Sequence, residues 1–149
     1  MKLLVINGPN INLLGTRERE IYGEKSYRSL VRFIKTAAAG SGIRVKCRQF
    51  NCEGSIINQI QRAAERFNGI VINAAAYAHT SIAVLDALKA ANLPTVEVHL
   101  TDTSKREEYR RFSYISEYAL KVIEGQGFDG YSAALEVLSK HLQNTAQGV

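Results

Sequence analysis

Short apolar runs alternate along the chain with longer stretches in which apolar residues recur at helical spacing. The apolar runs predict five strands, at residues 2–7, 43–50, 69–74, 95–100 and 119–124. Short apolar runs separated by helical segments are typical of a parallel sheet that is covered by helices on both faces.

Four segments predict these helices, and their ends carry helix signals. Ser26 is a suitable N-cap for the first helix, with Gly40 and Gly42 as stops, and the third ends before Pro94. The apolar positions are Leu30, Phe33, Ile34 and Ala37; Ile56, Ile57, Ile60, Ala63, Ala64 and Phe67; Ile82, Leu85, Leu88 and Ala91; and Tyr131, Leu135, Leu138 and Leu142. The order of elements predicts one α/β domain over residues 1–149, with the flavodoxin-like, doubly wound layout.

Three predicted loops carry most of the notable polar residues: 7–22, 73–79 and 97–101. Each follows a strand, and in a doubly wound sheet these strand ends meet near the point where the strand order reverses. The first loop is too long and too rich in turn residues for a simple connection, so it predicts a lid. The lid carries Arg17, Arg19 and Tyr22.

The strand sequence VEVHL predicts a paired acid and imidazole. Side chains alternate along a strand, so Glu97 and His99 share one face while Val96 and Val98 face a core. A carboxylate beside an imidazole fixes the tautomer of the ring and favours its protonated form, as a general acid requires near neutral pH.

Tyr22 is a candidate base, although most loop tyrosines near arginines make surface contacts only. Free tyrosine has a pKa of about 10, and a fixed cation nearby would raise the ionised fraction. Either Arg17 or Arg19 could supply that cation.

Three further polar residues are candidates for ligand binding. His79 precedes a helix whose first turn could hold an anion, or Thr80 or Ser81 simply caps that helix. Asp86 is either solvated or directed at another subunit, whereas Asn73, at the end of a buried strand, is expected to bind a ligand.

The stretch KREEYRRF offers two guanidinium groups. Arg110 and Arg111 stand among aromatic residues, which would suit nucleic acid, but Glu107 can pair with both at helical spacing. One of the two could instead capture a carboxylate, and the sequence does not choose between them.

Composition narrows the class of ligand. The chain has 149 residues, 46% of them apolar, and a net charge of +5, which favours a small acidic metabolite over a polyanion. Cys47 and Cys52 lack zinc-site spacing and suggest reduced thiols in a cytoplasmic protein. No signal-peptide or membrane-spanning run is present. GxGxxG does not follow the first strand, and neither GxxxxGK[ST] nor GxSxG occurs, so we expect no cofactor, no metal and no serine nucleophile.

Four separated blocks resemble one family of enzymes. NGPNINLLGTREREIYG, INAAAYAHTS, VEVHL and REEYRRFSYIS closely resemble the type II 3-dehydroquinate dehydratases over nearly the whole chain. The resemblance implies a flavodoxin-like subunit, a homododecamer built as a tetramer of trimers, and cofactor-free removal of water from 3-dehydroquinate. It does not distinguish the biosynthetic role of this step from its role in quinate breakdown.

The resemblance also implies residue roles. It makes Tyr22 the base with Arg17 as its cation, Asn10 a stabiliser of the enolate, and His99 the acid oriented by Glu97. The implied substrate-binding set is Asn73, His79, Asp86 from a neighbouring subunit, Arg110, and the backbone of Leu100 and Thr101. Arg19 would be a lid residue of secondary weight.

Three positions depart from the common family residues: Cys52, Ala74 and Ala75 stand where histidine, proline, and glycine or alanine are usual. They put only local packing in doubt. The chief rival is a non-catalytic flavodoxin-like module, either a signalling receiver or a nucleotide-binding domain. A receiver requires an acidic cluster at its strand ends, where this chain has Asn7, Asn73 and His99.

Overall fold

Five parallel strands form one sheet in the order β2-β1-β3-β4-β5. The computed structural model describes residues 1–16 and 18–147, with the side chain of Tyr22 outside the described part. The strands are β1 (Lys2–Asn7), β2 (Arg44–Gln49), β3 (Gly69–Asn73), β4 (Thr95–His99) and β5 (Lys121–Glu124). The helices are α1 (Arg19–Tyr22), α2 (Tyr27–Gly40), α3 (Glu53–Ala63), α4 (Ile82–Ala91) and α5 (Asp129–Gln147).

Two apolar layers hold helices against the two faces of the sheet. Alternate β1 residues Leu3 and Val5 pack in a cluster with apolar residues of α2 and α5. Leu4 and Ile6 point the other way, into a cluster with residues of α3 and α4. The predicted flavodoxin-like fold, with a doubly wound parallel sheet between two helical layers, is confirmed. Among the described residues, no helix is both long enough and apolar enough to cross a bilayer.

The residues predicted to begin and end the first helix lie at the ends of α2. The Ser26 hydroxyl accepts a hydrogen bond from Ser29 N–H and caps α2. Gly42 follows the end of α2 with φ +66°, a left-handed conformation that glycine adopts without steric cost. Asn92 ends α4 with φ +51°, so that turn uses the other residue type that tolerates this region.

Local structure differs from the prediction in three places beyond one-residue differences at strand ends. α3 ends at Ala63, before the predicted helical positions Ala64 and Phe67. β5 begins at Lys121 rather than residue 119, because Ala119 N–H bonds to Ile115 O and closes a preceding turn. The predicted lid loop contains a 3₁₀ turn at Ile11–Leu13 and the four-residue helix α1. Single turns of helix are too short to produce a periodic apolar pattern, so the sequence could not reveal them.

The edge strand β2 is strongly basic. Its exposed face carries Arg44, Lys46 and Arg48, whereas the alternate residues are partly buried. Within residues 1–16 and 18–147, β2 pairs with β1 alone, so its other side is an outer edge.

The loops after β1 and β3 are in close contact. Gly8 N–H bonds to Asn73 O at 2.8 Å, and a Cβ on Gly8 would lie 2.3 Å from Ala74 O. Only glycine therefore allows the two strand ends to approach this closely.

Gly8→Ala is expected to destabilise the protein by about 2 kcal/mol or more, because two backbone segments must separate. Gly54→Ala is the matched control, since a Cβ there meets nothing within 4 Å and alanine favours the helix by up to about 1 kcal/mol. Urea unfolding of both variants measures the difference. Equal midpoints for Gly8→Ala and the wild type would contradict the close approach.

Candidate active site

A cavity of about 110 Å³ opens at the carboxyl ends of β1, β3 and β4. β1 and β3 are neighbours in the sheet, with β2 on the far side of β1, so this is the point where the strand order reverses. Seven of the residues predicted from the sequence line it: Asn10, Asn73, His79, His99, Leu100, Thr101 and Arg110.

Glu97 and His99 form a hydrogen-bonded pair at the end of β4. Glu97 is fully buried, and its Oε1 lies 2.8 Å from Nε2 of His99. The Ser113 hydroxyl donates to the same carboxylate oxygen at 2.6 Å, and Ser113 Oγ accepts from Ile115 N–H. Nε2 is thus engaged by the carboxylate. In the described part of the chain Nδ1 of His99, which lines the cavity, is the ring nitrogen without a hydrogen-bond partner. The strand alternation predicted from VEVHL is what brings the pair together.

His79 is held by a backbone carbonyl. Its Nδ1 lies 2.7 Å from Phe112 O, and a carbonyl only accepts, so Nδ1 carries the proton and the neutral ring offers Nε2 as an acceptor. Burial lowers the pKa of His79, and the nearby His99 and Arg110 lower it further, against the opposing effect of the Phe112 carbonyl. The rings of His79 and His99 stack with centroids 5.8 Å apart.

The start of α4 next to His79 is capped by the protein itself. The Ser81 hydroxyl accepts from Val84 N–H at 2.9 Å, so of the two predicted caps the structure uses Ser81. Thr80 instead donates from its hydroxyl to Ala76 O.

Of the two candidate arginines, Arg110 lies at the cavity and Arg111 does not. Arg110 lines the cavity, and its Nε lies 3.2 Å from Glu107 Oε2. Arg111 is exposed and donates from Nε to Arg106 O. Arg106, which the sequence analysis did not single out, also lines the cavity and lies 3.4 Å from Glu107.

The segment 110–115 contacts both histidine-containing parts of the site and the cavity itself. The sequence analysis did not predict two of its contacts, those made by Phe112 and Ser113. Arg110 lines the cavity, the carbonyl of Phe112 holds His79, and the hydroxyl of Ser113 holds Glu97. The only sequence signal for Ser113 is a small polar residue between aromatic residues, which does not reveal that it is buried.

Two asparagines at the cavity are associated with left-handed backbone conformations, Asn10 at its own residue and Asn73 through a hydrogen bond to Ala75. Asn10 has φ +67°, and its N–H bonds to Asn51 Oδ1. The Asn73 side chain accepts from Ala75 N–H, and Ala75 has φ +52°. A left-handed alanine costs on the order of 1 kcal/mol.

The remaining predicted residues are not brought to the cavity by the described part of this subunit. Asp86 is exposed on α4. Arg17 and the side chain of Tyr22 lie outside the described residues, and Tyr22 is described only as the last residue of α1. Arg19 donates from Nε to Gly15 O, within the same loop. Glu18, not predicted, lines the cavity.

Comparison with known proteins identifies the family. The family "Dehydroquinase class II" matches residues 1–139. The chain belongs to the class II dehydroquinase family. The resemblance predicted from the four sequence blocks is therefore confirmed, and with it the assignment of the chain to an enzyme family rather than to a non-catalytic module.

Relatives and solved structures agree with this membership. The "3-dehydroquinate dehydratase" of Clostridium acetobutylicum is 51% identical over 142 residues, which cover 95% of this chain and 99% of the relative. A type II dehydroquinase from Butyrivibrio crossotus has a TM-score of 0.91 at 44% identity, covering 93% of this chain and 97% of its own. One from Propionibacterium acnes has a TM-score of 0.89 at 37% identity, with coverages of 93% and 96%.

The lowered pKa of His79 predicts a stability that falls with acidification. Below the ordinary histidine pKa of about 6.5, the unfolded chain takes up a proton more readily than the folded protein, so stability is lost as the pH falls through the folded value. His79→Asn keeps a donor for Phe112 O but does not titrate. We expect its Tm to fall less than that of the wild type between about pH 7.5 and about pH 5.

His141→Asn, on the exposed part of α5, is the control and should behave as the wild type. Equal Tm losses in the wild type and His79→Asn would show that His79 is not the group responsible.

Proposed function

We propose that this chain is a 3-dehydroquinate dehydratase, which removes water from 3-dehydroquinate to give 3-dehydroshikimate by an anti elimination through an enolate. The observation that carries the proposal is the pairing of His99 with the buried Glu97 at the edge of a polar cavity. Membership of the class II dehydroquinase family supports the substrate and the reaction.

The first step is proton removal by Tyr22. The phenolate takes the proton from the carbon next to the ketone, and the electron pair of that C–H bond moves to the ketone oxygen as an enolate. Arg17 keeps Tyr22 ionised, as the family resemblance implies. Asn10, which lines the cavity, stabilises the enolate oxygen by hydrogen bonding.

The second step is loss of the hydroxyl group with assistance from His99. The enolate electrons form the new C=C bond, the C–O bond breaks, and a proton from His99 converts the departing hydroxide into water. Since Glu97 occupies Nε2, the transferred proton comes from Nδ1. The carboxylate of Glu97 stabilises the doubly protonated ring before transfer.

Substrate binding uses the remaining lining groups. Neutral His79 offers Nε2 to a substrate hydroxyl, because Nδ1 is committed to Phe112 O. Arg110 suits the substrate carboxylate, together with the backbone of Leu100 and Thr101, and Asn73 offers its amide. The net charge of +5 favours such an acidic substrate.

The domain extent, the cofactor requirement, the compartment and the binding partners of the enzyme stay predictions. We propose that residues 1–149 act as one catalytic domain without cofactor or metal, that the enzyme is cytoplasmic, and that it binds neither nucleic acid nor membranes. Both cysteines are free thiols, which is compatible with a reducing compartment.

Purified, chelator-treated protein should convert 3-dehydroquinate into product, detected by absorbance of the conjugated enone. Tyr22→Phe removes the base and should lower kcat by about a thousandfold or more while the far-UV circular dichroism and Tm are unchanged. Tyr109→Phe is the control, because Tyr109 is 68% exposed, and should retain full activity. Turnover by Tyr22→Phe at the wild-type rate would exclude the assigned base.

We also propose the homododecamer, a tetramer of trimers, because Asp86 would then reach the substrate of a neighbouring subunit. Asp86 is exposed on α4, beside Ile82, whose side chain is 55% exposed. An exposed apolar residue one turn from the carboxylate is compatible with a subunit contact at this helix.

Analytical ultracentrifugation should show a twelve-subunit particle rather than a 16.5 kDa monomer. Asp86→Asn should raise KM or lower kcat without changing the sedimentation coefficient. A fully active monomer, or an Asp86→Asn variant with wild-type kinetics, would contradict this arrangement.

A further inference from the structure

Behind the cavity lies a buried chain of three polar side chains. Asn7 and Asn73 end the adjacent strands β1 and β3 and are paired in register. The hydroxyl of Tyr131, from α5, lies between them and is fully buried. Of the three residues, Asn73 lines the cavity. Tyr131 was predicted from the sequence only as an apolar position of the last helix.

The hydrogen bonds in this chain have a definite direction. Asn73 Oδ1 accepts from Ala75 N–H at 3.2 Å, while Asn73 Nδ2 donates to Tyr131 Oη at 3.1 Å. The single hydroxyl proton of Tyr131 goes to Asn7 Oδ1 at 2.6 Å. Tyr131 Oη is therefore left as an acceptor toward Asn73.

This direction fixes which way the Asn73 amide points. If the amide were reversed, its oxygen would face a phenol oxygen whose proton is already used, and its NH₂ group would face the N–H of Ala75. Both hydrogen bonds would be lost in a buried site, where unpaired polar groups are costly. The observed bonds use one of the two N–H groups of Nδ2, so the second remains for a ligand.

We propose that Tyr131 is a positioning residue that acts through Asn73, holding its amide so that an N–H, rather than the carbonyl oxygen, is available to an oxygen atom of the substrate. This inference rests on the proposed function, because it assigns a task to Asn73 in binding 3-dehydroquinate. Burial raises the pKa of the Tyr131 phenol, so the hydroxyl stays neutral and remains a donor to Asn7 at every working pH.

A purely apolar role for Tyr131 does not account for its hydroxyl. Tyr131 packs in the same cluster as Val5, Val71 and Leu135, where phenylalanine would bury the same ring without a polar atom. A buried hydroxyl costs free energy unless it is hydrogen-bonded, and here both of its hydrogen-bonding directions are used by residues at strand ends.

Tyr131→Phe tests the proposal in the full-length enzyme, with steady-state kinetics on 3-dehydroquinate. We expect KM to rise about tenfold with kcat changed less than about threefold, since Asn73 binds the substrate in ground and transition state alike. The matched control is Tyr118→Phe, which also removes a hydroxyl bonded inside the protein, to Leu93 O at 3.0 Å. It should leave KM unchanged.

A double-mutant cycle separates positioning from stability. In an Asn73→Ala background, Tyr131→Phe should have no further effect on KM, because the amide through which it acts is gone. A structural role alone would lower Tm in both backgrounds and leave KM at its wild-type value. An unchanged KM for folded Tyr131→Phe, or independent effects of the two substitutions, would overturn the proposal.

Asn7→Leu provides a second route if Tyr131→Phe does not fold. Removing the acceptor frees the hydroxyl proton of Tyr131 to turn toward Asn73, which favours the reversed amide and should raise KM in the same way. Wild-type KM in folded Asn7→Leu would count against the chain of bonds. If the wild-type enzyme itself did not turn over 3-dehydroquinate, the proposed function would be refuted. Failure of the proposed function is therefore distinguishable from failure of the proposed role of Tyr131.

Discussion

The site depends on how the protein accommodates one buried carboxylate. Glu97 is at 0% exposure on β4, where an unpaired charge would cost several kcal/mol. The imidazole of His99 and the hydroxyl of Ser113 both contact its Oε1. A residue of β4 and a residue of an irregular segment are thereby tied to the same atom. Among the described residues Oε2 has no hydrogen-bond partner, so the cost of burial is offset in part, and only when the whole strand end is assembled.

The second constraint is the parallel register of the strands. Asn7 and Asn73 are paired across β1 and β3, and β4 continues the same alignment with Glu97 beside Ile72. Every strand that contributes to the cavity therefore ends at the same side of the sheet. The loops that follow need only short excursions to meet, and Gly8 allows them to approach to backbone contact distance.

Much of this arrangement could be predicted from the sequence because it follows from simple periodicity. The alternation of VEVHL places Glu97 and His99 on one face, and the rule that parallel strand ends meet brings Asn73 and His79 to them. The spacing in KREEYRRF left Arg110 and Arg111 open, because the choice depends on the phase of a single 3₁₀ turn, and only the family resemblance pointed to Arg110. Ser113 was missed because its burial arises from distant packing. The roles of Arg17 and Tyr22 stay predictions that rest on family resemblance.

The basic outer strand β2 constrains how copies of this protein can meet. An open strand edge invites another chain to add to the sheet, which leads to unlimited stacking. Arg44, Lys46 and Arg48 alternate along this edge, so two such edges brought together would place rows of like charges side by side. Strand-to-strand growth at this edge, which would lead to open-ended fibres, is thereby discouraged.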